Sequence, residues 1–157
     1  MANERRVLVC VDRVAASQLV ATALPLVVTP ARWTAVHVID VRARLDLGAL
    51  RHGVAGAGPL PPHLLAAIEE AGREHANVVL AAAATAFAER DLLSDMGFVR
   101  VGEPGREVCA AATAWPADLV VLGASRHTRA EPGPRSVGHT ARFVVDHAPC
   151  PVLLIRG

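Results

Sequence analysis

Asp118–Gly123 (DLVVLG) is a short apolar run closed by a glycine. An apolar run without polar alternation is typical of a strand buried on both faces, as in a parallel sheet. The glycine that ends such a strand often opens a phosphate-binding loop. Here the following segment, ASRHTRAEPGPRSVGHT (124–140), carries three arginines instead of further closely spaced glycines. The run therefore predicts a parallel sheet with a candidate ligand loop directly behind this strand.

Working outward, four more apolar segments alternate with segments of helical periodicity. We predict strands at Val7–Val11, Thr34–Val41, Phe98–Val101, Asp118–Leu122 and Pro151–Ile155, and helices at Ser17–Val28, His63 to about Arg90, Glu107–Trp115 and Ala141–His147. Pro25 is expected to kink or shorten the first helix. This alternation predicts an α/β fold with one open five-stranded parallel sheet and helices on both faces.

A long irregular segment at about 42–62 interrupts the alternation with four glycines and three prolines. A loop of this length is either functional or mobile. The 157 residues otherwise suit a single domain, 1–157, with one ordinary hydrophobic core.

Composition excludes several kinds of partner. The formal net charge is +1, from 16 Lys and Arg against 15 Asp and Glu, so no global field favours nucleic acid or anionic lipid. The apolar runs are shorter than the ~20 residues that span a bilayer, and the N-terminus lacks a signal-peptide core. Cys10, Cys109 and Cys150 lie in apolar contexts, as expected for buried free thiols. We expect a cytoplasmic protein without nucleic-acid or membrane contact.

Catalytic signatures are missing from the sequence. It contains no Walker loop, no GxSxG and no nucleophile with an evident base. His127 and His139 have no carboxylate or thiol nearby at metal-ligand spacing. His37, inside an apolar strand, is expected to be a hydrogen-bonded core residue. We predict neither a catalytic residue nor a resident metal.

The ligand side of such a fold is the carboxyl edge of its strands. Asp12, the neighbourhood of His37–Asp40, and Gly123 onward follow strands one, two and four, and are the candidates for this edge. Asp12 has two interpretations at this point: a ligand contact, or the N-terminal cap or turn residue before the first helix.

Five stretches together resemble the universal stress protein family: VLVCVD, AVHVID, VGEPGREV, DLVVLGAS and FVVDHAPCPVLLIR. They occur in the family's order and cover nearly the whole chain, and HAPCPVLLIR is the most specific. The resemblance implies a Rossmann-like sheet of the adenine nucleotide α-hydrolase-like superfold, with strand order 3-2-1-4-5.

The resemblance also implies binding residues for ATP or AMP. Members that bind these nucleotides have an acidic residue after strand one, a valine near the adenine in strand two, and a loop of glycine, two residues, glycine, nine residues and Gly-Ser/Thr. Asp12, Val38 and Gly123 match the acid, the valine and the first glycine.

The rest of this loop departs from the family pattern. Arg126 stands where the second glycine is expected. Gly138 takes the place of the last glycine, fifteen residues after Gly123 instead of thirteen, and is followed by His139 and Thr140. Arg126, with two further arginines at 129 and 135, could contact phosphates through guanidinium groups in place of the lost glycine. The alternative is a solvated surface loop whose charges contact nothing.

Two functions follow as hypotheses. The first is a stress-associated sensor or regulator that binds ATP or AMP above strands one and four, with Mg²⁺ only if ATP is bound and at most slow hydrolysis. The second is a family member that binds no nucleotide and acts as a dimeric protein-interaction module. An enzyme of the related nucleotide α-hydrolase superfold ranks behind both. By resemblance, we expect a homodimer formed through the C-terminal strand 151–155.

Overall fold

The computed structural model describes residues 4–12, 15–28, 30–40, 61–124 and 137–156. Within these ranges five strands form one parallel sheet in the order β3-β2-β1-β4-β5, as predicted. The strands are β1 (Arg5–Cys10), β2 (Ala31–Ile39), β3 (Phe98–Val101), β4 (Leu119–Gly123) and β5 (Val152–Ile155). Most of the irregular loop predicted at about 42–62, namely residues 42–60, lies outside the described residues.

Four α-helices alternate with these strands in the described part of the chain. They are α1 (Ala16–Ala23), α2 (Pro62–Ala88), α3 (Pro104–Ala114) and α4 (His139–His147). A short 3₁₀ turn, Leu24–Leu26, follows α1. The turn contains Pro25, which cannot donate to an α-helical ladder, so the helix is shorter than the predicted Ser17–Val28.

Two apolar layers cover the faces of the sheet because strand side chains alternate between them. On one face, Val7, Val9 and Val11 pack with α1 and α2. On the other face, Leu8 packs with α3 and α4. The same alternation places the predicted continuous apolar strands in the interior, where both faces are buried.

Trp33 is the largest buried side chain of the first layer. It is 1% exposed and packs against Phe87 of α2, with the ring centroids 6.1 Å apart. Its backbone N–H donates to Leu93 and its carbonyl accepts from Asp95, which fixes the segment between α2 and β3 to the amino end of β2. This tryptophan therefore anchors the α2 layer near the amino edge of the sheet.

An ion-pair network lies at the same amino edge. The Arg32 guanidinium contacts Glu4 at 3.0 Å and Asp95 at 2.9 Å. The indole Nε1 of Trp115, just after α3, donates to Asp95 at 3.2 Å. The hydrogen bond from Arg32 lowers the pKa of Asp95, with a smaller contribution from Trp115, while burial opposes the shift. The network ties the start of β2 to the far end of α3.

Helices α3 and α4 pack closely against each other. A Cβ at Gly105, in the first turn of α3, would lie 2.8 to 2.9 Å from Phe143 of α4. Phe143 in turn stacks on His147 at 4.2 Å between ring centroids. Glycine at 105 therefore sets the separation of these two helices. No helix among the described residues is long and apolar enough to cross a membrane.

Candidate functional site

Residues at the carboxyl ends of β1, β2 and β4 belong to the same apolar cluster as the first turn of α4. Cys10, Val38 and Leu122 represent the three strands, and Ala141 represents the helix. Strand β1 lies in the middle of the sheet, with β2 on one side and β4 on the other, so the strand order reverses at β1. Such a reversal leaves a crevice at the carboxyl edge, which is where open α/β sheets bind ligands.

Asp12 lies at a bend two residues beyond the end of β1, and it is exposed. Helix α1 begins at Ala16 with Ala15 in the cap position, so the interpretation of Asp12 as the cap of this helix is wrong. The remaining possibilities are a turn residue or a ligand contact at the carboxyl edge.

Val11, directly before Asp12, is held by two neighbours on β2. Its N–H donates to the carbonyl of Val36 at 2.9 Å. Its carbonyl accepts from Nδ1 of His37 at 2.7 Å. His37 is 3% exposed, which confirms the prediction of a hydrogen-bonded core histidine. The end of β1 is therefore fixed immediately before the exposed aspartate.

Val38 faces the opposite side of the sheet from His37. It is half-buried and packs with the cluster that includes α4. Its apolar side chain therefore lies at the carboxyl edge on the face where α4 begins. A flat apolar group such as a purine ring can pack against a partly exposed valine of this kind.

Gly123 is the last residue of β4, as the sequence predicts, and pairs with Ile155 of β5. The N–H of the next residue, Ala124, donates to the carbonyl of Ile155 at 2.8 Å. The strand is thus paired through its end, and the chain leaves the sheet at the carboxyl edge. Arg126, like 129 and 135, lies outside the described residues, so its proposed contact with phosphate stays a prediction.

Gly138, His139 and Thr140 form the start of α4. Gly138 is the N-terminal cap, with φ of 90° and ψ of 159°. His139 and Thr140 begin the helix two residues earlier than the predicted Ala141. The first intrahelical bond of α4 runs from the N–H of Arg142 to the carbonyl of Gly138 at 3.1 Å. The N–H groups of residues 139–141 precede this bond and have no intrahelical acceptor.

Helix α3 begins at the same edge of the sheet but is closed by its own cap. Gly102, with φ of 152°, directly follows β3 and precedes Glu103. The Glu103 carboxylate accepts from the N–H groups of Gly105 at 3.1 Å and Arg106 at 2.8 Å. This cap explains why α3 starts at Pro104 and not at the predicted Glu107.

The three cysteines pack against the α3 and α4 face of the sheet. All three are free and partly buried. Burial raises the pKa of Cys10, Cys109 and Cys150, so their thiolate forms are disfavoured at neutral pH. Within the described residues, no group of three or more His, Cys, Asp or Glu side chains is arranged to hold a metal ion. The thiols belong to the packing of the second layer.

Two elements of the edge escape prediction from sequence. The first is the backbone N–H of Ala141, which lies in the first turn of α4 because the helix begins earlier than the apolar pattern indicates. The second is the hydrogen bond from the His37 side chain to the carbonyl of Val11. A lone histidine in an apolar strand signals a hydrogen-bonded core residue, but it does not reveal the partner.

These features define a class of protein: an open, doubly wound α/β sheet whose strand order reverses at β1 and β4, with a glycine-capped helix start on the same face. The model of the universal stress protein family matches residues 4–156 of the chain. The chain therefore belongs to the universal stress protein family. Among curated proteins, no sequence matches.

Solved structures show the same fold. The universal stress protein UspA from Lactobacillus plantarum is 27% identical, with a TM-score of 0.59 over 99% of this chain and 100% of that chain. A family protein from Arabidopsis thaliana with AMP bound is 16% identical, with a TM-score of 0.63 over 97% and 91%. The universal stress protein from Archaeoglobus fulgidus in complex with dAMP is 19% identical, with a TM-score of 0.57 over 99% of both chains.

Proposed function

We propose that this protein binds an adenine nucleotide, ATP or AMP, in the crevice above β1 and β4 and acts as a stress-associated sensor or regulator. The observation that carries the proposal is the glycine-capped start of α4, which shares an apolar cluster with residues at the carboxyl ends of the strands. The N–H groups of residues 139–141, which have no intrahelical acceptor, and the positive end of the helix dipole favour an anion. The AMP and dAMP complexes of the two relatives support a nucleotide as that anion.

Each candidate residue has a role in the proposed complex. Asp12 and Val38 hold the base, because an exposed carboxylate can accept from an amino group while a half-buried valine packs on the ring. Gly138, His139 and Thr140 surround the phosphates through the open first turn of α4.

Gly123 lets the chain turn away from β4 beside the ribose, and Arg126 adds a guanidinium to the phosphate contacts. Mg²⁺ enters only with ATP, because two phosphate groups in close proximity supply the oxygen ligands that this cation prefers. The described protein residues offer no ready set of ligands of their own.

Calorimetric titration of the purified protein with adenosine, AMP and ATP tests the proposal. We expect measurable heat with AMP or ATP and weaker binding of adenosine, since adenosine lacks the group that α4 recognises. Absence of heat with all three ligands at millimolar concentration would reject the proposed function.

A matched pair of arginine variants then tests the side-chain contribution. We expect Arg126→Ala to weaken ATP binding more than adenosine binding. Arg73→Ala, an exposed position on α2, is the control and leaves both affinities unchanged. Equal losses for ATP and adenosine in Arg126→Ala would contradict a phosphate contact by this residue.

A homodimer through the C-terminal strand is a second proposal, favoured by the position of β5 at the edge of the sheet. The N–H of Val120 donates to Pro151, and the N–H of Ala124 donates to Ile155. Because bonding alternates along a strand, Val152 and Leu154 direct their backbone groups away from β4. These groups can pair with the same strand of a second copy.

Light scattering of Leu154→Pro tests the dimer, since proline removes one outward N–H and is tolerated on an edge strand. We expect a dimer for the wild type and a monomer for the variant. Leu154→Val keeps the donor and is the control. A wild-type monomer at all concentrations would contradict this proposal without affecting nucleotide binding.

A further inference from the structure

His37 is one of two buried polar side chains in the described part of the chain, the other being Thr34. Thr34, near the amino end of β2, donates to the carbonyl of Met96 and so ties the segment before β3 to the sheet. His37 lies near the opposite end of the strand, next to the candidate site. It has no role in the proposed contacts with the nucleotide.

The bond from His37 joins a side chain to the last carbonyl before Asp12. A carbonyl oxygen only accepts, so Nδ1 carries the proton and donates to Val11. The N–H of Val11 is bonded to the main chain of Val36. Strand β2 therefore holds both polar backbone groups of Val11, one through its main chain and one through this imidazole.

The carbonyl of Val11 belongs to the same peptide plane as the N–H of Asp12. In a trans peptide these two groups point in opposite directions. Both polar groups of Val11 are bonded to residues of β2, so the Asp12 N–H points away from β2. The neighbour of β1 on that side is β4, whose carboxyl end lies beside that of β1. In the described residues, no protein acceptor bonds to the Asp12 N–H.

We propose that His37 is a positioning residue that fixes the Val11–Asp12 peptide, so that the Asp12 N–H is a second ligand donor beside the Asp12 carboxylate. The nucleotide consequence rests on the proposed function, whereas the orientation of the peptide does not. An N–H donor paired with an adjacent acceptor matches an edge with both functions, as the Watson–Crick edge of adenine has.

Helix α2 supports the ring from behind. His75 packs edge-on against His37, with the ring centroids 5.5 Å apart and the planes at 73°. The contact limits rotation of the buried imidazole, so its Nδ1 stays directed at Val11. His75 is itself exposed, and its replacement by leucine preserves an apolar contact.

Three variants separate positioning from packing. In asparagine the donor nitrogen is bonded to Cγ, as Nδ1 is in histidine, so His37→Asn keeps a donor at the same distance along the side chain. His37→Gln places its donor one bond further out, and His37→Leu has none. The Asn and Gln variants are both neutral amides and differ by one methylene, so they form the matched pair.

Nuclear magnetic resonance reads the peptide directly, without ligand. We expect the Val11 carbonyl carbon and the Asp12 amide to keep wild-type-like shifts in His37→Asn and to move in His37→Gln and His37→Leu. A long-range proton–nitrogen spectrum of the wild type is expected to show His37 protonated at Nδ1. The inference would be overturned if the Asp12 amide of His37→Gln kept its wild-type shift. It would also be overturned if the Asp12 amide of His37→Asn had the same shift as in His37→Leu.

Calorimetry then measures the effect on adenosine. Loss of one well-oriented hydrogen bond corresponds to about a tenfold rise in Kd, which we expect for His37→Gln, with His37→Asn within about twofold of the wild type. Equal affinities for the two amide variants would also overturn the role of this donor. If the wild type binds no adenine compound, the proposed function fails, and the resonance shifts still decide whether His37 positions the peptide. If His37→Leu does not fold, the amide pair carries both measurements.

Discussion

Helices α3 and α4 start at the same edge of the sheet, yet their first turns are prepared for different partners. Each is preceded by a glycine at positive φ, Gly102 at 152° and Gly138 at 90°. In α3, the Glu103 carboxylate bonds two of the free N–H groups. In α4 the cap is a glycine, which has no side chain to offer. The difference shows that two helix starts at the same edge of the sheet are not equivalent, because in the described residues only α3 has a side-chain cap.

Charge reinforces this difference. The first turn of α3 contains Glu107, which accompanies Glu103 and offsets the positive end of the helix. The first turn of α4 contains no acidic residue. Among the described residues, acidic side chains therefore offset the positive end of α3 but not that of α4.

The largest expected effect concerns the packing between the two helix starts. Gly105→Ala places a Cβ against the near end of the Phe143 side chain, which cannot rotate away, and pushes the helices apart. We expect a loss of about 3 kcal/mol in the free energy of unfolding, measured by urea denaturation. Arg142→Ala, at an exposed position of α4, is the control and is expected to stay within about 0.5 kcal/mol of the wild type. Equal stability of Gly105→Ala and the wild type would contradict this close packing.

Gly138→Ala changes the N-terminal cap of α4. A backbone near φ of 90° and ψ of 159° is essentially restricted to glycine, so alanine costs about 2 kcal/mol. Under the proposed function, we also expect ATP affinity to fall more than adenosine affinity. His139→Ala removes the imidazole, keeps every backbone N–H, and is the comparison variant for both denaturation and calorimetry. A larger loss of ATP binding in His139→Ala than in Gly138→Ala would transfer recognition to the imidazole.

Glu103→Ala opens the closed helix start. Removal of an N-terminal cap costs about 1 kcal/mol, and thermal or urea unfolding measures it. Nucleotide affinity is expected to stay unchanged, because the N–H groups of α3 serve the protein alone. Glu103→Asn retains a capping oxygen and recovers most of the stability. A loss of affinity at unchanged stability would place α3 in the binding site.

The smallest effect concerns the far end of α3, where Trp115 bonds to Asp95. The pKa of Asp95 in the folded protein is lowered, first by the hydrogen bond from Arg32, so it contributes stability above its unfolded pKa. That contribution is lost as the pH falls from about 4 through the lower folded pKa. Acid titration of stability should be shallower in Asp95→Asn. The Asp146→Asn variant, on the exposed face of α4, is the control.

The fold is the part that sequence patterns predict well. Continuous apolar strands such as Val7–Val11 are buried on both faces, and their period is distinct from that of the helices between them. Helix starts are predicted less well because they depend on caps. Glu103 and Gly138 act through backbone geometry, and apolar periodicity does not register either one. As a result, the predicted start of α4 is two residues too late and that of α3 is three residues too late.

For the candidate site, too, the sequence predicts one part and misses another. Asp12, Val38, Gly123, Gly138, His139 and Thr140 all lie at the carboxyl edge or at the first turn beside it, because the strand order brings these segments together. The bond between His37 and Val11 joins residues 26 positions apart. Such a contact depends on the register of β1 against β2, and spacing along one strand does not contain it.

The positions of the two tryptophans have an optical consequence. Trp33 lies in the core near the amino end of β2, and Trp115 lies at the amino edge beside Asp95. Neither adjoins the carboxyl edge, so intrinsic fluorescence should follow unfolding while remaining silent to an occupant of the crevice. Emission from Trp33 should be blue-shifted by its apolar surroundings, and emission from Trp115 should change as its carboxylate neighbour is protonated. The molecule thus contains a built-in stability reporter that is spectrally independent of binding.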